Sequence, residues 1–236
     1  QYLYSDRADI SYKRIARSVT VPAAGGTMTF FTSFDTEPAW DFVFAEVNDI
    51  TTATWQTVPD LNGHTTSSTG DSCPEGWHEL HPWLIQYQGA DCSGAGWNAS
   101  SGRSSGWEEW AIDLTPFAGH EIAIYFSYAS DWAIQGLGAW FDDVTFSWEG
   151  TTEDFEAGTG AWAVPAGPPE GSGSNSNDWF RTTDVGYAEG AVVGMTPTDA
   201  SFRTLHFGFG FEGISTATER TDVMCRSMNF LGVSCP

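Results

Sequence analysis

Between residues 14 and 146 the apolar residues of this chain recur in short runs with the two-residue period of a strand, each closed by Gly, Pro, Asn, Asp or Ser. Residues 14–21 end at Pro22 and the Gly25-Gly26 turn, residues 27–34 follow, and residues 42–47 come after an acidic bend at 35–41. Residues 107–116, 121–128 and 136–146 complete the set. Helical periodicity is almost absent here. Short strands with one apolar face bury it by packing sheet on sheet, so the expected fold is mainly β: an antiparallel two-sheet sandwich.

Past residue 150 the pattern changes. Residues 151–158 restart a strand, 165–178 form a linker-like loop of Pro, Gly, Ser and Asn, and 178–182 and 205–211 read as strands. A helix is expected over 216–231, opened by a capping box of Thr216 and Glu219 and carrying Val223, Met224, Met228 and Leu231 on one face. The expected organisation is a sandwich domain over 1–150 and a smaller β-rich appendage over 151–236, its terminal helix packed on the preceding strands.

The chain has 236 residues, 41% of them hydrophobic, with twelve Trp, so material for a core is ample. Nine basic residues face 31 acidic ones, a formal charge of −22. Such a field repels phosphate backbones and anionic lipid, which argues against nucleic-acid and membrane-surface partners. No apolar run is long enough for a membrane span, and no charged-then-apolar leader opens the sequence, as expected of a mature or excised segment. Four cysteines allow three pairings, of which sequence proximity favours Cys73–Cys92 and Cys225–Cys235. No CxxC pair suggests zinc, so oxidised export is expected and the chain reads as secreted and extracellular.

Few motifs for catalysis are offered: the sequence has no HExxH and no P-loop, and no catalytic residue is assigned. His78, Glu79 and His81 invite a zinc reading, but the two histidines are three apart rather than four and Pro82 follows. Calcium is better supported. Asp35, Glu37 and Asp41 flank a bend between two strands, while Asp142 and Asp143 end the closing strand, and sandwich strand ends that converge would supply the oxygens calcium needs. The plainer reading is that these carboxylates cap loops. Trp97, Trp107 and Trp110 lie near Asn98, Arg103, Glu108 and Glu109, an array suited to stacking on sugars, although most tryptophans of a small sandwich belong to its core.

The residues also carry a resemblance. Ser18-Val19-Thr20-Val21-Pro22, Phe34-Asp35-Thr36-Glu37 and residues 40–47 resemble the MAM-like jelly-roll domain that follows the catalytic domain of immune inhibitor A metallopeptidases. Residues 138–144 resemble that domain's closing strand. Residues 80–83, 106–107, 131–133 and 207–214 are similar to C-terminal regions of secreted actinobacterial zinc carboxypeptidases. The resemblance implies a MAM/lectin-like jelly roll and an accessory role beside an upstream peptidase domain of the same precursor. It also implies a calcium site at Glu37, Asp41, Asp142 and Asp143. The expected function is therefore a non-catalytic, calcium-stabilised module supporting folding, secretion or substrate binding, with a protein or glycan as substrate. The alternative is an independent carbohydrate-binding or adhesion module using exposed tryptophan.

Overall fold

The computed structural model describes residues 1–183, 192–195, 204–207, 221, 223–225, 227–228 and 231. The chain divides into two compact units, Gln1–Thr183 and Asp184–Pro236.

The first unit is built on β1 (Tyr2–Tyr4), β2 (Tyr12–Thr20), β3 (Thr27–Asp35), β4 (Phe42–Asp49), β5 (Thr54–Val58), β6 (Glu108–Asp113), β7 (Glu121–Ala129) and β8 (Gly138–Phe146). One sheet runs β1-β8-β3-β6 and the other β2-β7-β4-β5, with every pairing antiparallel. Except for the β4-β5 hairpin, each strand crosses to the opposite sheet, which is the connectivity of a jelly roll. Two short strands extend the first sheet: β9 (Thr152–Glu153) pairs with β8, and β10 (Phe180–Thr182) with β1.

The core follows from the two-residue period. Ile122, Ile124, Phe126 and Tyr128 of β7 point inward, and the register places Ile15 of β2 beside Phe126 and Val19 beside Ile122. Met28, Phe30 and Phe34 of β3, with Trp110 and Ile112 of β6, answer from the other sheet. Strand β4 is buried on both faces. Its Val43, Ala45 and Val47 enter this core, whereas Phe42 and Phe44 join a second cluster with Trp77, Leu84, Tyr87 and Trp97.

That second cluster explains the long connection over 59–106. It covers the outer face of the second sheet, contributes single helical turns α1 (Trp77–Leu80) and α2 (Ile85–Gln88), and is closed by a Cys73–Cys92 disulfide. Bridges from Val43 to Ser100 and from Asp35 to Arg103 fasten its far end. A connection of this length is held in place by apolar side chains of its own, here Trp77, Leu84, Tyr87 and Trp97, while much of its remaining surface stays exposed.

The boundary expected at 150 does not fall there. Phe155, Trp162 and Trp179 insert into the main core, and the compact unit extends to Thr183. The Pro/Gly/Ser-rich stretch is a strap rather than a linker: Asn175 accepts from Tyr12 N–H at 2.9 Å and donates to its carbonyl at 3.1 Å, while backbone bonds join Ala16 and Ala163.

In the second unit β11 (Val192–Met195) and β12 (Thr204–Phe207) pair antiparallel. Of the helix expected over 216–231, residues 221, 223–225 and 227–228 are helical, and Met224 and Leu231 are exposed. Thr216, Glu219 and residues 208–211 lie outside the described residues. No helix among the described residues is long and apolar enough to cross a membrane.

Candidate functional site

At one end of the second sheet, Phe42 of β4 pairs with Ala129 of β7. Asp41 therefore precedes one strand and Asp131 follows the other, so the antiparallel register brings both carboxyls to the same edge. Glu37 is folded in from the β3–β4 bend, where its carbonyl accepts from the Asp41 N–H at 3.0 Å and from the Trp40 N–H at 3.2 Å. Oxygen atoms of Glu37, Asp41 and Asp131 all lie within 4.8 Å of one another. This separation is about twice a Ca–O bond of ~2.4 Å, the widest that two ligands of one calcium can have.

The electrostatics agree with an anionic cradle. Asp41 is fully buried; its Oδ1 accepts from the Asp131 N–H at 2.9 Å and its Oδ2 from the Tyr128 hydroxyl at 3.1 Å. Burial pushes its carboxyl up to about 7, opposed by those two donors and reinforced by the charges of Asp131 and Glu37. Burial also raises Glu37, with the charges of Asp131 and Asp9 adding to it. Asp131 is raised by burial and by Asp9, against the Ala133 N–H that holds it down. Among the described residues no basic side chain forms an ion pair with any of the three. Asp131 and Glu37 thus destabilise the charged form of Asp41, and Asp131 that of Glu37, a condition that a bound cation relieves.

Only part of the expected calcium set gathers here. Asp35 turns away to pair with Arg103, Nη2 to Oδ2 at 2.7 Å. Asp142 and Asp143 do not reach the bend: Gly138 of β8 pairs with Asp35, whereas Asp142 pairs with Phe31. Four strand residues separate these positions, about 13 Å at ~3.3 Å per residue. Asp131 is the residue missed. It lies two residues beyond an apolar strand, but its partnership with Asp41 depends on the β4–β7 pairing, which no local pattern displays.

The other candidates are dispersed. Trp97 and Trp110 are buried, and only Trp107 of that trio is exposed. The Cys73–Cys92 bridge is present; Cys225 is also disulfide-bonded, and Cys235 lies outside the described residues. His78 lies within the helical turn α1 and His81 caps its end, a turn formed where the sequence suggested none, yet they face different partners. His78 Nε2 lies 2.9 Å from Gln88 Oε1 and 3.4 Å from Cys73 Sγ. His81 donates from Nε2 to the Ser130 carbonyl at 2.9 Å, its Nδ1 lies 3.0 Å from the Ser172 hydroxyl, and Glu79 is exposed.

Burial pulls the His81 imidazole down to about 4. As pH falls, the unfolded chain therefore takes up this proton first, and the histidine's contribution to stability is lost between about pH 6.5 and 4. Asp41 acts oppositely. With its carboxyl raised from 3.8 to about 7, the folded metal-free chain gains the proton first, so acidification through that window favours the fold. In EDTA, the urea midpoint of Asp41→Asn is expected to fall more steeply from pH 7 to 4.5 than that of the parent. Parallel slopes would remove Asp41 from this role.

No protein-family model matches the chain, and no curated protein matches it by sequence.

Proposed function

We propose that this chain is a non-catalytic, calcium-stabilised jelly-roll module of a secreted zinc metallopeptidase, supporting folding, secretion or substrate binding beside an upstream peptidase domain. The observation that carries the calcium part is the convergence of Glu37, Asp41 and Asp131 at one strand edge with no counter-cation among the described residues. Calcium is a hard ion that accepts carboxylate and carbonyl oxygens in a flexible shell, so three carboxylates on two strand ends and a bend suit it. The parent enzyme is supported by the sequence resemblance at residues 18–22, 34–37, 40–47 and 138–144. The alternative, a glycan-binding module, keeps one of its three tryptophans at the surface, Trp107.

A ligand that binds only the folded state raises its stability by mass action, about 2.7 kcal/mol at a hundredfold excess over Kd. The thermal midpoint is accordingly expected to rise between EDTA and millimolar calcium, and the rise to vanish in Asp41→Asn and Asp131→Asn. An unchanged midpoint in the parent chain would sink the calcium reading.

A further inference from the structure

In a regular strand, residues 142 and 143 point to opposite faces. In β8 they do not. The β3–β8 register shifts between Thr29 and Phe31, and Asp143 adopts φ +50°. The core-facing residues run Ala139, Phe141, Val144 and Phe146, so the step from 141 to 144 contains one extra residue. This β-bulge turns both carboxyls to the outer face of the sheet, and bulges characteristically re-aim side chains beside functional sites.

On that face Phe31 of β3 lies opposite Asp142 and is 38% exposed. Trp107, just before β6, is 37% exposed and leans on Tyr2 with ring centroids 5.7 Å apart. Phe31, Trp107, Asp142 and Asp143 line a depression of about 220 Å³. The Asp143 N–H donates to Asp142 Oδ1 at 2.9 Å, which fixes the first carboxyl.

No arginine or lysine pairs with Asp142 or Asp143 among the described residues. Burial raises the Asp142 carboxyl to about 6, and the charges of Asp143 and Glu156 add to this. The Gln1 ammonium opposes them but is itself bonded to Glu156. The depression is thus net anionic, and half its wall is aromatic. Two carboxylates supply at most four of the six to eight oxygens of a hard metal ion, and the Phe31 and Trp107 rings that make up the rest of the wall offer none. A neutral sugar can stack on Trp107 but leaves the carboxylate repulsion in place. An organic cation removes that repulsion and gains the attraction of ring faces for positive charge.

We propose that this depression binds an ammonium or guanidinium group, the end of a lysine or arginine side chain of a peptide, seated against Phe31 and Trp107 with Asp142 and Asp143 as counter-charges. The inference rests on the accessory-module reading for its source of cation, a basic peptide substrate. The chain's own single lysine is buried elsewhere, donating to the carbonyls of Ser5 and Asp6.

The test titrates the full chain, in EDTA, with Nα-acetyl-lysine amide and Nα-acetyl-arginine amide, reading tryptophan fluorescence and amide NMR shifts. Nα-acetyl-norleucine amide and maltose serve as uncharged probes. Saturable binding of both cationic probes is expected, at least tenfold tighter than norleucine amide. It is expected to weaken at least tenfold in Trp107→Ala and in Asp142→Asn/Asp143→Asn. Asparagine is chosen because it tolerates the positive φ at 143. Cation binding equal to norleucine binding, unchanged affinity in the folded double variant, or saturation by maltose alone would each overturn the proposal. Because EDTA removes calcium, a failure here leaves the midpoint shift at Glu37, Asp41 and Asp131 as a separate result.

Discussion

Truncating Trp97 to alanine is expected to lower the unfolding free energy by about 3–5 kcal/mol, while the same change at Trp107 costs under about 1 kcal/mol. Sequence gave the two tryptophans the same candidate role, and burial separates them. The Trp97 ring lies 4.6 Å from Phe44, 5.7 Å from Phe42 and 6.4 Å from Trp77, and stacks on Tyr87 at 6.5 Å. Its Nε1 donates to the Ser68 carbonyl at 3.0 Å. Removing it opens a void between β4 and the connection that covers it, and strips that carbonyl of its donor. Trp107 borders solvent and leaves no closed void. Urea unfolding followed by far-UV circular dichroism measures both, and equal losses would contradict the assignment of Trp97 to the core.

Replacing Cys73 and Cys92 together by serine is expected to cost about 3 kcal/mol, the loop-closure value for ~20 residues, lowering the midpoint by roughly 10 °C. The bridge closes a sequence separation of 19 inside the 59–106 connection. Its loss therefore acts locally as well as globally. Amides of α1 and α2 are expected to exchange faster in the double-serine variant, while those of β2 and β7, paired over nine residues, keep their protection. Uniform loss of protection across both regions would show that the connection and the sheet unfold as one unit.

How much of this was legible in sequence depended on the range of the interaction. Strand β7 announces itself, since Ile122, Ile124, Phe126 and Tyr128 alternate without interruption. Strand β4 reads as a continuous apolar run because both its faces are buried. Strand β1 has three residues, too few to display a period, and β5 follows a turn at 50–53 that hides the end of one hairpin arm and the start of the next. The acidic bend marked Glu37 and Asp41, which are close in sequence. Asp131 could not be joined to them without the strand pairing. Asp142 and Asp143 were misplaced for a related reason: they were read as a strand end, but they occupy a bulge within β8, and a one-residue insertion leaves no compositional trace. Phe31 looked like one more strand residue, and the tryptophan count said nothing about which rings reach solvent.

The strap that crosses β2 also governs what the molecule can do to its own copies. Strand β2 is a terminal strand of its sheet, and a terminal strand offers unpaired amides and carbonyls to any extended chain nearby. Here the Asn175 amide occupies Tyr12 and the Ala163 backbone occupies Ala16. At the opposite margin Asn98 donates to the Thr57 carbonyl of β5. A second copy adding a strand at β2 must first peel away a segment anchored in the core by Trp162 and Trp179. The residues that looked like a linker thus act as a guard against templated polymerisation.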